Sequence, residues 1–150
     1  MSPEGRPHIV LIEDRDEDVF LVEYSLQKHS LLYDLTRFED GETALQAVTG
    51  RRALRRPDLV LLDLNLPRRN GREILKALRA NPALADTPVA VITSSFAPKD
   101  REDALLLGAD RYVQKPSNLS EFIKVVADVV NELIALGSGK TAAAAGRNSV

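Results

Sequence analysis

The sequence has no cysteine and only two histidines in 150 residues. Disulfide bonds, thiolate metal sites and cysteine nucleophiles are therefore excluded. No apolar run is long enough to cross a bilayer and no secretory hydrophobic segment opens the chain, so we expect a soluble, cytoplasmic protein without membrane partners. The formal net charge of −2 provides no basic surface field, and nucleic acid is accordingly not an expected partner.

What the sequence does contain is typical of one globular domain, with 44% hydrophobic and 28% charged residues. Residues 1–7, which include two prolines and a glycine, are predicted to form a flexible N-terminal arm. Residues 8–136 make up the predicted domain. Residues 137–150 are rich in glycine, serine and alanine, have too few large side chains to pack, and are predicted to form a flexible tail.

Short apolar runs alternate with segments of helical periodicity along the domain. The runs predict strands at 8–12, 34–38, 59–62, 88–93 and 111–114. The periodic segments predict helices near 19–29 and 40–48 and at 71–80, 99–107 and 118–136. This alternation is typical of the α/β class. At about 130 residues, we expect a flavodoxin-like (βα)5 fold, a doubly wound parallel five-stranded sheet with strand order 2-1-3-4-5.

Polar side chains follow four of the predicted strands at the point where each strand ends. They are Glu13 and Asp14, Asp63, Thr93 and Ser94, and Lys115 followed by Pro116. Any one of them alone is more simply explained as a helix cap, a strand residue or a surface lysine. Because the carboxyl ends of parallel strands meet at one edge of a sheet, the four groups together favour a single site.

The chemistry of these side chains fits a phosphoryl group. Converging carboxylates repel one another unless a cation neutralises them, and oxygen ligands without histidine or cysteine favour Mg²⁺. A lysine ammonium suits a phosphoryl oxygen, and a threonine hydroxyl can donate to another. We therefore predict a metal-assisted phosphoryl site in which a carboxylate is available as nucleophile to form an aspartyl phosphate.

Over about residues 7–136, the sequence resembles the receiver domain of two-component response regulators. The residues that carry the likeness are Glu13, Asp14, Asp63 with the following Leu-Asn-Leu-Pro, Gly71, Thr93, Ser94, Tyr112, Lys115 and Pro116. The resemblance implies that Asp63 is the phosphoacceptor and that Lys115 pairs with the phosphoryl group. It also implies that Thr93 and Tyr112 act as switch residues and that the Lys115–Pro116 bond is cis.

The same resemblance implies a Mg²⁺ site. Asp14, Asp63 and the backbone carbonyl of Asn65 would bind the ion directly, and Glu13 would act mainly through metal-bound water. The protein would then be a phosphoacceptor signalling protein rather than an enzyme, limited to self-catalysed phosphotransfer and slow autodephosphorylation. The implied phosphoryl donor is a sensor histidine kinase.

Residues 63–73, which read Asp-Leu-Asn-Leu-Pro-Arg-Arg-Asn-Gly-Arg-Glu, narrow the resemblance. They are similar to the stand-alone regulators that serve phytochrome-type histidine kinases. Residues 93–100 and the last helix, which contains Phe122, agree with that subgroup. The implied function is phosphorelay signal transduction by a single-domain regulator that switches protein–protein interactions downstream of a phytochrome-type kinase.

Three other interpretations are open to the sequence. Residues 137–141, Gly-Ser-Gly-Lys-Thr, look like the end of a phosphate-binding P-loop, but Ile134 stands where that motif needs its first glycine. A haloacid-dehalogenase-like phosphatase also uses an aspartyl phosphate, but it needs a second acid two residues after the nucleophile, where this chain has Asn65. A non-phosphorylated pseudo-receiver adaptor is the third alternative, and the presence of all the key residues argues against it.

The last helix has more apolar surface than a one-sided helix requires. Beyond its main apolar face, Val125, Val129 and Leu136 form a second stripe. Deep coverage of the helix within the domain would explain the stripe, but we favour a surface for self-association. We therefore predict a homodimer formed through the fourth helix, fifth strand and fifth helix.

Overall fold

The structure is a computed structural model that describes the backbone of residues 5–148 and the side chains of residues 5–137. Its five strands are β1 (His8–Ile12), β2 (Asp34–Phe38), β3 (Leu59–Leu62), β4 (Val89–Thr93) and β5 (Arg111–Gln114). The helices that alternate with them are α1 (Asp16–Lys28), α2 (Gly41–Val48), α3 (Gly71–Ala80), α4 (Pro98–Leu106) and α5 (Leu119–Asn148). Residues 1–4 of the predicted arm and residues 149–150 of the predicted tail lie outside the described residues.

The strands form one parallel sheet in the order β2-β1-β3-β4-β5, which confirms the predicted topology. In the register of the central strands, Leu62 lies between Ile12 of β1 and Val91 of β4. The residues that follow these three strands are therefore neighbours at the carboxyl edge of the sheet. This edge is where open α/β sheets bind their ligands.

The sheet is covered on both faces, and its central strands are apolar at every position except His8 of β1 and Thr93 of β4. All residues of β1, β3 and β4 are buried. Successive side chains along β1 point to opposite faces, so Ile9 and Leu11 pack with α1 and α5, while Val10 and Ile12 pack with α2, α3 and α4. The doubly wound arrangement follows from this alternation of mostly apolar, buried strands with helices that pack on both faces of the sheet.

Side-chain caps set the starts of three helices. The carboxylate of Asp40 accepts from the N–H of Thr43 at 2.8 Å, at the start of α2. Asn70 caps α3 through the N–H of Arg72 at 2.8 Å. The predicted cap Asn118 is confirmed at α5, where its side chain accepts from the N–H of Glu121 at 3.0 Å. These caps fix where each chain segment leaves the sheet edge and enters its helix.

The last helix is longer than predicted. We expected α5 to end at Leu136, but its backbone stays helical to Asn148. The alanines of residues 142–145 have the highest helix propensity of any residue, which favours continuation of the helix past Gly137. The flexibility that we predicted for residues 137–150 stays a prediction.

The predicted interface stripe on α5 is largely part of the core. Val129 is only 2% exposed and packs in the cluster between α5 and the sheet, and Val125 is partly buried against the same cluster. The assignment of Val129 to an intermolecular surface was therefore wrong, because the helix is covered on more than one side. Leu136 is exposed. Within the described chain, no helix combines the length and hydropathy needed to span a membrane.

Candidate functional site

Three acids meet at the carboxyl edge of the sheet because the strands that precede them are neighbours. Glu13 and Asp14 follow β1, and Asp63 follows β3, whose backbone continues the pairing with a hydrogen bond from the N–H of Asp63 to the carbonyl of Ile12 at 3.0 Å. One carboxylate oxygen from each of Glu13, Asp14 and Asp63 lies within 4.8 Å of the other two. Glu13 and Asp63 are buried and Asp14 is exposed, so the cluster opens to solvent on one side.

Lys115 reaches this cluster from the end of β5. Its backbone N–H donates to the carbonyl of Thr93 at 2.7 Å, which extends the pairing between β4 and β5 by one residue. The ammonium nitrogen Nζ then lies 2.8 Å from Oε2 of Glu13 and 3.1 Å from Oδ2 of Asp63. With the Lys115 side chain 11% exposed, these contacts form in a partly desolvated pocket.

The charges in this pocket perturb one another. Burial raises the pKa of Glu13 from 4.5 to about 7; the carboxylate of Asp63 adds to the rise, and the hydrogen bond from Lys115 opposes it. Burial by itself would lower the pKa of Lys115, but the hydrogen bonds to Asp18 and Glu13 raise it above its ordinary value. The Lys115 ammonium is therefore held in its charged form. Its single positive charge cannot neutralise the three carboxylates that it contacts.

Gly71 explains how the backbone after Asp63 is held. The N–H of Gly71 donates to the carbonyl of Leu64 at 3.0 Å, which brings the start of α3 against the segment that follows β3. A Cβ at position 71 would lie 2.5 Å from the carbonyl oxygen of Asp63 and 2.7 Å from Cα of Leu64. Only glycine fits this approach without displacing the backbone of Asp63.

The segment after β3 forms one wall of an open cleft beside the acids. The cleft has a volume of about 600 Å³ and is lined by Asp14 and residues 64–70. Within it, the backbone N–H of Asn65 donates to Oδ1 of Asp63 at 3.1 Å and orients that carboxylate. Arg68 in the same wall adopts a left-handed conformation with φ of +72°, which is unusual for a residue with a side chain. The cleft gives a ligand access to Asp14, and Asp63 immediately precedes the segment that lines it.

The two predicted switch residues meet at the loop that follows β4. Thr93 is fully buried at the end of β4, and its Oγ1 accepts from the N–H of Ser95 at 3.4 Å. Tyr112 of β5 is turned inward, and its hydroxyl donates to the carbonyl of Ser95 at 3.1 Å. The guanidinium of Arg101 lies over the Tyr112 ring, 5.9 Å from its centroid. Ser95 therefore links the two residues in this conformation.

The Lys115–Pro116 peptide bond differs from its prediction. Every peptide bond among residues 5–148 is trans, so the cis bond that we predicted before Pro116 was wrong for this structure. The trans form is favoured by about 0.5–1 kcal/mol even before proline. The Lys115 ammonium reaches Glu13 and Asp63 from the trans backbone.

Sequence reasoning missed two residues of the site. Asp18, in the first turn of α1, accepts from Nζ of Lys115 at 2.8 Å. Arg37 of β2 holds the backbone behind the acids, because its side chain donates to the carbonyl of Glu13 at 3.1 Å and to that of Asp14 at 3.2 Å. Asp18 is one of several acids that follow Asp14 in the sequence, but Asp14 precedes α1, so no helical spacing relates the two residues. Arg37 gave no signal, since its position depends on the pairing of β2 with β1.

The donor set fits a magnesium ion. Hard carboxylate oxygens from Glu13, Asp14 and Asp63 lie close together, and no histidine or cysteine is among them. Lys115 contacts Glu13 and Asp63 but not Asp14 in this arrangement, which leaves negative charge at the open side of the cluster. The backbone carbonyl of Asn65 as a further ligand stays a prediction.

Comparison with known proteins agrees with this combination of fold and site. The family model of the response regulator receiver domain matches residues 9–127. The chain belongs to the response regulator receiver family. Membership of the receiver family argues against the alternative that Asp63 is the nucleophile of a haloacid-dehalogenase-like phosphatase.

Among relatives, response regulator Rcp1 of Synechocystis sp. is 35% identical over 84% of this chain and 89% of its own length. The crystal structure of the phosphorylated cyanobacterial phytochrome response regulator RcpA shares 31% identity and a TM-score of 0.77, covering 83% of this chain and 91% of that one. The Mn²⁺-bound form of Rcp1 shares 34% identity and a TM-score of 0.75, covering 82% and 91%. The probable transcriptional regulatory protein TcrX of Mycobacterium tuberculosis is 37% identical over 80% of this chain, and the match covers 48% of the length of TcrX.

Proposed function

We propose that this chain accepts a phosphoryl group on Asp63 from a sensor histidine kinase in a Mg²⁺-dependent reaction. The observation that carries the proposal is the group of three carboxylates within 4.8 Å of one another, with Nζ of Lys115 at 3.1 Å from Oδ2 of Asp63. Excess negative charge at the open side favours a divalent cation, and the lysine is placed to pair with a phosphoryl oxygen. The metal-bound and phosphorylated relatives support this assignment.

In the proposed reaction, a carboxylate oxygen of Asp63 attacks the phosphorus of a phosphohistidine. A new O–P bond forms as the P–N bond breaks, and the imidazole nitrogen keeps the electron pair and takes up a proton. Lys115 then exchanges its hydrogen bond to Asp63 for one to a phosphoryl oxygen, and the Thr93 hydroxyl donates to another. Asn65 replaces the acid that a fast phosphatase would use, so we expect slow autodephosphorylation.

Four groups would hold the metal: the side chains of Asp14 and Asp63, the backbone carbonyl of Asn65, and Glu13 through water. Bound Mg²⁺ would neutralise charge on the transferring phosphoryl oxygens. The open cleft that Asp14 and Asn65 line provides access for both ion and donor. Arg37 keeps the backbone of Glu13 and Asp14 in place through its bonds to their carbonyls.

The sequence similarity to Rcp1 and RcpA supports a phytochrome-type kinase as the phosphoryl donor, acting in the cytoplasm. Phosphorylation would alter the loop after β4, where Thr93 and Tyr112 both contact Ser95, and so change which proteins bind there. Phosphotransfer from a purified bacteriophytochrome kinase should then be faster than transfer from an unrelated histidine kinase. Equal rates from both kinases would contradict the phytochrome assignment.

Self-association through α4, β5 and α5 is part of the proposal. Because Val129 is buried, the exposed leucines of these elements are Leu105 and Leu106 on α4 and Leu119 and Leu136 on α5, and Leu106 is 85% exposed. Leu106→Glu should therefore lower the mass measured in solution if this face joins two copies. An unchanged mass would contradict a dimer through α4.

Acetyl phosphate tests the phosphoacceptor assignment without a kinase. With Mg²⁺, the wild-type protein should gain the mass of one phosphoryl group, and hydroxylamine should remove it, as expected of an acyl phosphate. Asp63→Asn should abolish the gain, while Asp86→Asn, which changes an exposed aspartate elsewhere, should leave it intact. Failure of the wild type to become labelled, or labelling of Asp63→Asn, would contradict the proposal and favour a pseudo-receiver.

A further inference from the structure

Lys115 has a third carboxylate partner that the reaction described above does not use. Its Nζ lies 2.8 Å from Oδ2 of Asp18, 2.8 Å from Oε2 of Glu13 and 3.1 Å from Oδ2 of Asp63. An ammonium group has three N–H donors, so these contacts occupy all of them. The side chain of Asp18 is 15% exposed, which makes its contact with Lys115 a partly buried one.

We infer that Asp18 is a positioning residue, which holds the Lys115 ammonium beside Asp63 while the phosphoryl group is transferred. The inference rests on the proposed function of Asp63 as phosphoacceptor. Asp18 acts through Lys115 and contacts neither the phosphoryl group nor the metal cluster, because its carboxylate is not one of the three that group within 4.8 Å.

Asp18 is suited to this role because it is the only one of the three partners that the reaction leaves in place. The bond from Lys115 to Asp63 is exchanged for a bond to the phosphoryl group, and the carboxylate of Glu13 belongs to the proposed metal pocket. The bond to Asp18 can persist throughout. It therefore keeps the ammonium within reach of Asp63 when the other two contacts change.

The position of Asp18 in the fold makes it a firm anchor. It lies in the first turn of α1, where a negative charge is favoured by the helix dipole, and α1 packs against α5 on one face of the sheet. Arg15 lies 3.9 Å from Asp18 but is well exposed, so Lys115 is the main partner. The contact thus joins the start of α1 to the end of β5. It orders the Lys115 side chain before the phosphoryl group arrives. The entropy cost of fixing this side chain is therefore not added to the phosphotransfer step.

The kinetic test is Asp18→Asn with acetyl phosphate at saturating Mg²⁺. We expect the maximal rate of phosphorylation to fall about tenfold, with little change in the half-saturating acetyl phosphate concentration, since a charged hydrogen bond that orients Lys115 is lost. Glu17→Gln is the matched control: it removes one charge from the same helical turn at an exposed position and should leave the rate unchanged. Asp18→Glu, which keeps the carboxylate, should recover part of the rate.

A second measurement reads the lysine itself in the metal-free protein. In ¹⁵N NMR spectra, the Lys115 ammonium should exchange its protons with water slowly in the wild type and in Glu17→Gln, and faster in Asp18→Asn. If the wild type is phosphorylated but Asp18→Asn matches Glu17→Gln in both rate and exchange, the positioning role is overturned. If the wild type is not phosphorylated, the proposed function fails instead, and the exchange measurement still decides whether Asp18 anchors Lys115.

Discussion

The two ends of the sheet accommodate partly buried charge in opposite ways. At the amino end, Asp58 accepts from the N–H of His8 at 2.7 Å, and Asp110 accepts from the N–H of Val89 at 2.9 Å and from Arg79 at 3.2 Å. Each carboxylate there satisfies a backbone donor that starts a strand. At the carboxyl end, by contrast, three carboxylates converge on the ammonium of Lys115.

This difference separates the part of the sheet that stabilises the fold from the part that performs chemistry. Charges paired with strand and loop backbone at the amino end reinforce the native structure. We expect the acids in excess at the carboxyl end to weaken it, and their negative field favours a cation, which together with Lys115 can pair with a phosphoryl group. Substitutions at the two ends should therefore have effects of different size and sign.

Arg79→Ala should have the largest effect on stability. The Arg79 guanidinium donates to the carbonyls of Ala85 at 2.9 Å, Thr87 at 2.8 Å and Gly108 at 2.7 Å, and it also pairs with Asp110. Its loss leaves several partly buried acceptors without this donor, and we expect the free energy of unfolding to fall by about 3 kcal/mol. Urea denaturation monitored by circular dichroism measures the change.

The control for Arg79 is Arg55→Ala, which removes an exposed ion pair with Asp34 on the same side of the molecule. It should lower the free energy of unfolding by less than about 0.5 kcal/mol. Acetyl phosphate labelling of Asp63 should be retained by folded Arg79→Ala, since Arg79 lies at the opposite end of the sheet. A change below about 1 kcal/mol for Arg79→Ala would break the comparison between the two ends.

The pH dependence of stability should show the next largest effect. Because the pKa of Glu13 is raised from 4.5 to about 7 on folding, the folded protein binds this proton more tightly than the unfolded chain does. The stabilising contribution is complete below pH 4.5 and is lost as the pH rises to about 7. After screening by water in the cleft and by Lys115, we expect the loss to be about 1–2 kcal/mol.

The measurement compares the wild type with Glu13→Gln in the presence of a chelator, so that other titrating groups cancel. The free energy of unfolding of the wild type, relative to the variant, should fall between about pH 4.5 and about pH 7. A difference that stays constant with pH would mean that folding does not raise the pKa of Glu13.

Whether a feature of the fold or the site could be predicted depended on whether it follows from local sequence patterns or from contacts between elements distant in sequence. Strand bounds such as His8–Ile12 and Leu59–Leu62 follow from short apolar runs, and the grouping of Glu13 with Asp63 follows from the parallel order of their strands. The carboxyl-edge acids and Lys115 were therefore accessible from the sequence.

Contacts between elements that are distant in sequence were not accessible. Arg79 binds carbonyls of the loops before β4 and β5, which no periodicity reveals. Val129 was placed on an interface because one-dimensional patterning cannot show that α1 and the sheet together cover two sides of α5. Asp18 belongs with these residues, because its pairing with Lys115 depends on how the start of α1 packs beside the end of β5.

The smallest predicted effect is the most direct test of the contrast, because the same substitution should have opposite signs at the two ends. Asp63→Asn removes one of three acids around Lys115, and in the metal-free protein it should raise the free energy of unfolding by about 1 kcal/mol. Asp110→Asn removes the partner of Arg79 and should lower it by a similar amount. Added Mg²⁺ should stabilise the wild type, by about 1.4 kcal/mol at ten times its Kd, and should stabilise Asp63→Asn less. If both substitutions destabilise the metal-free protein, the acids at the carboxyl edge are as well compensated as those at the amino end. The excess negative charge that we infer at the carboxyl edge would then not exist.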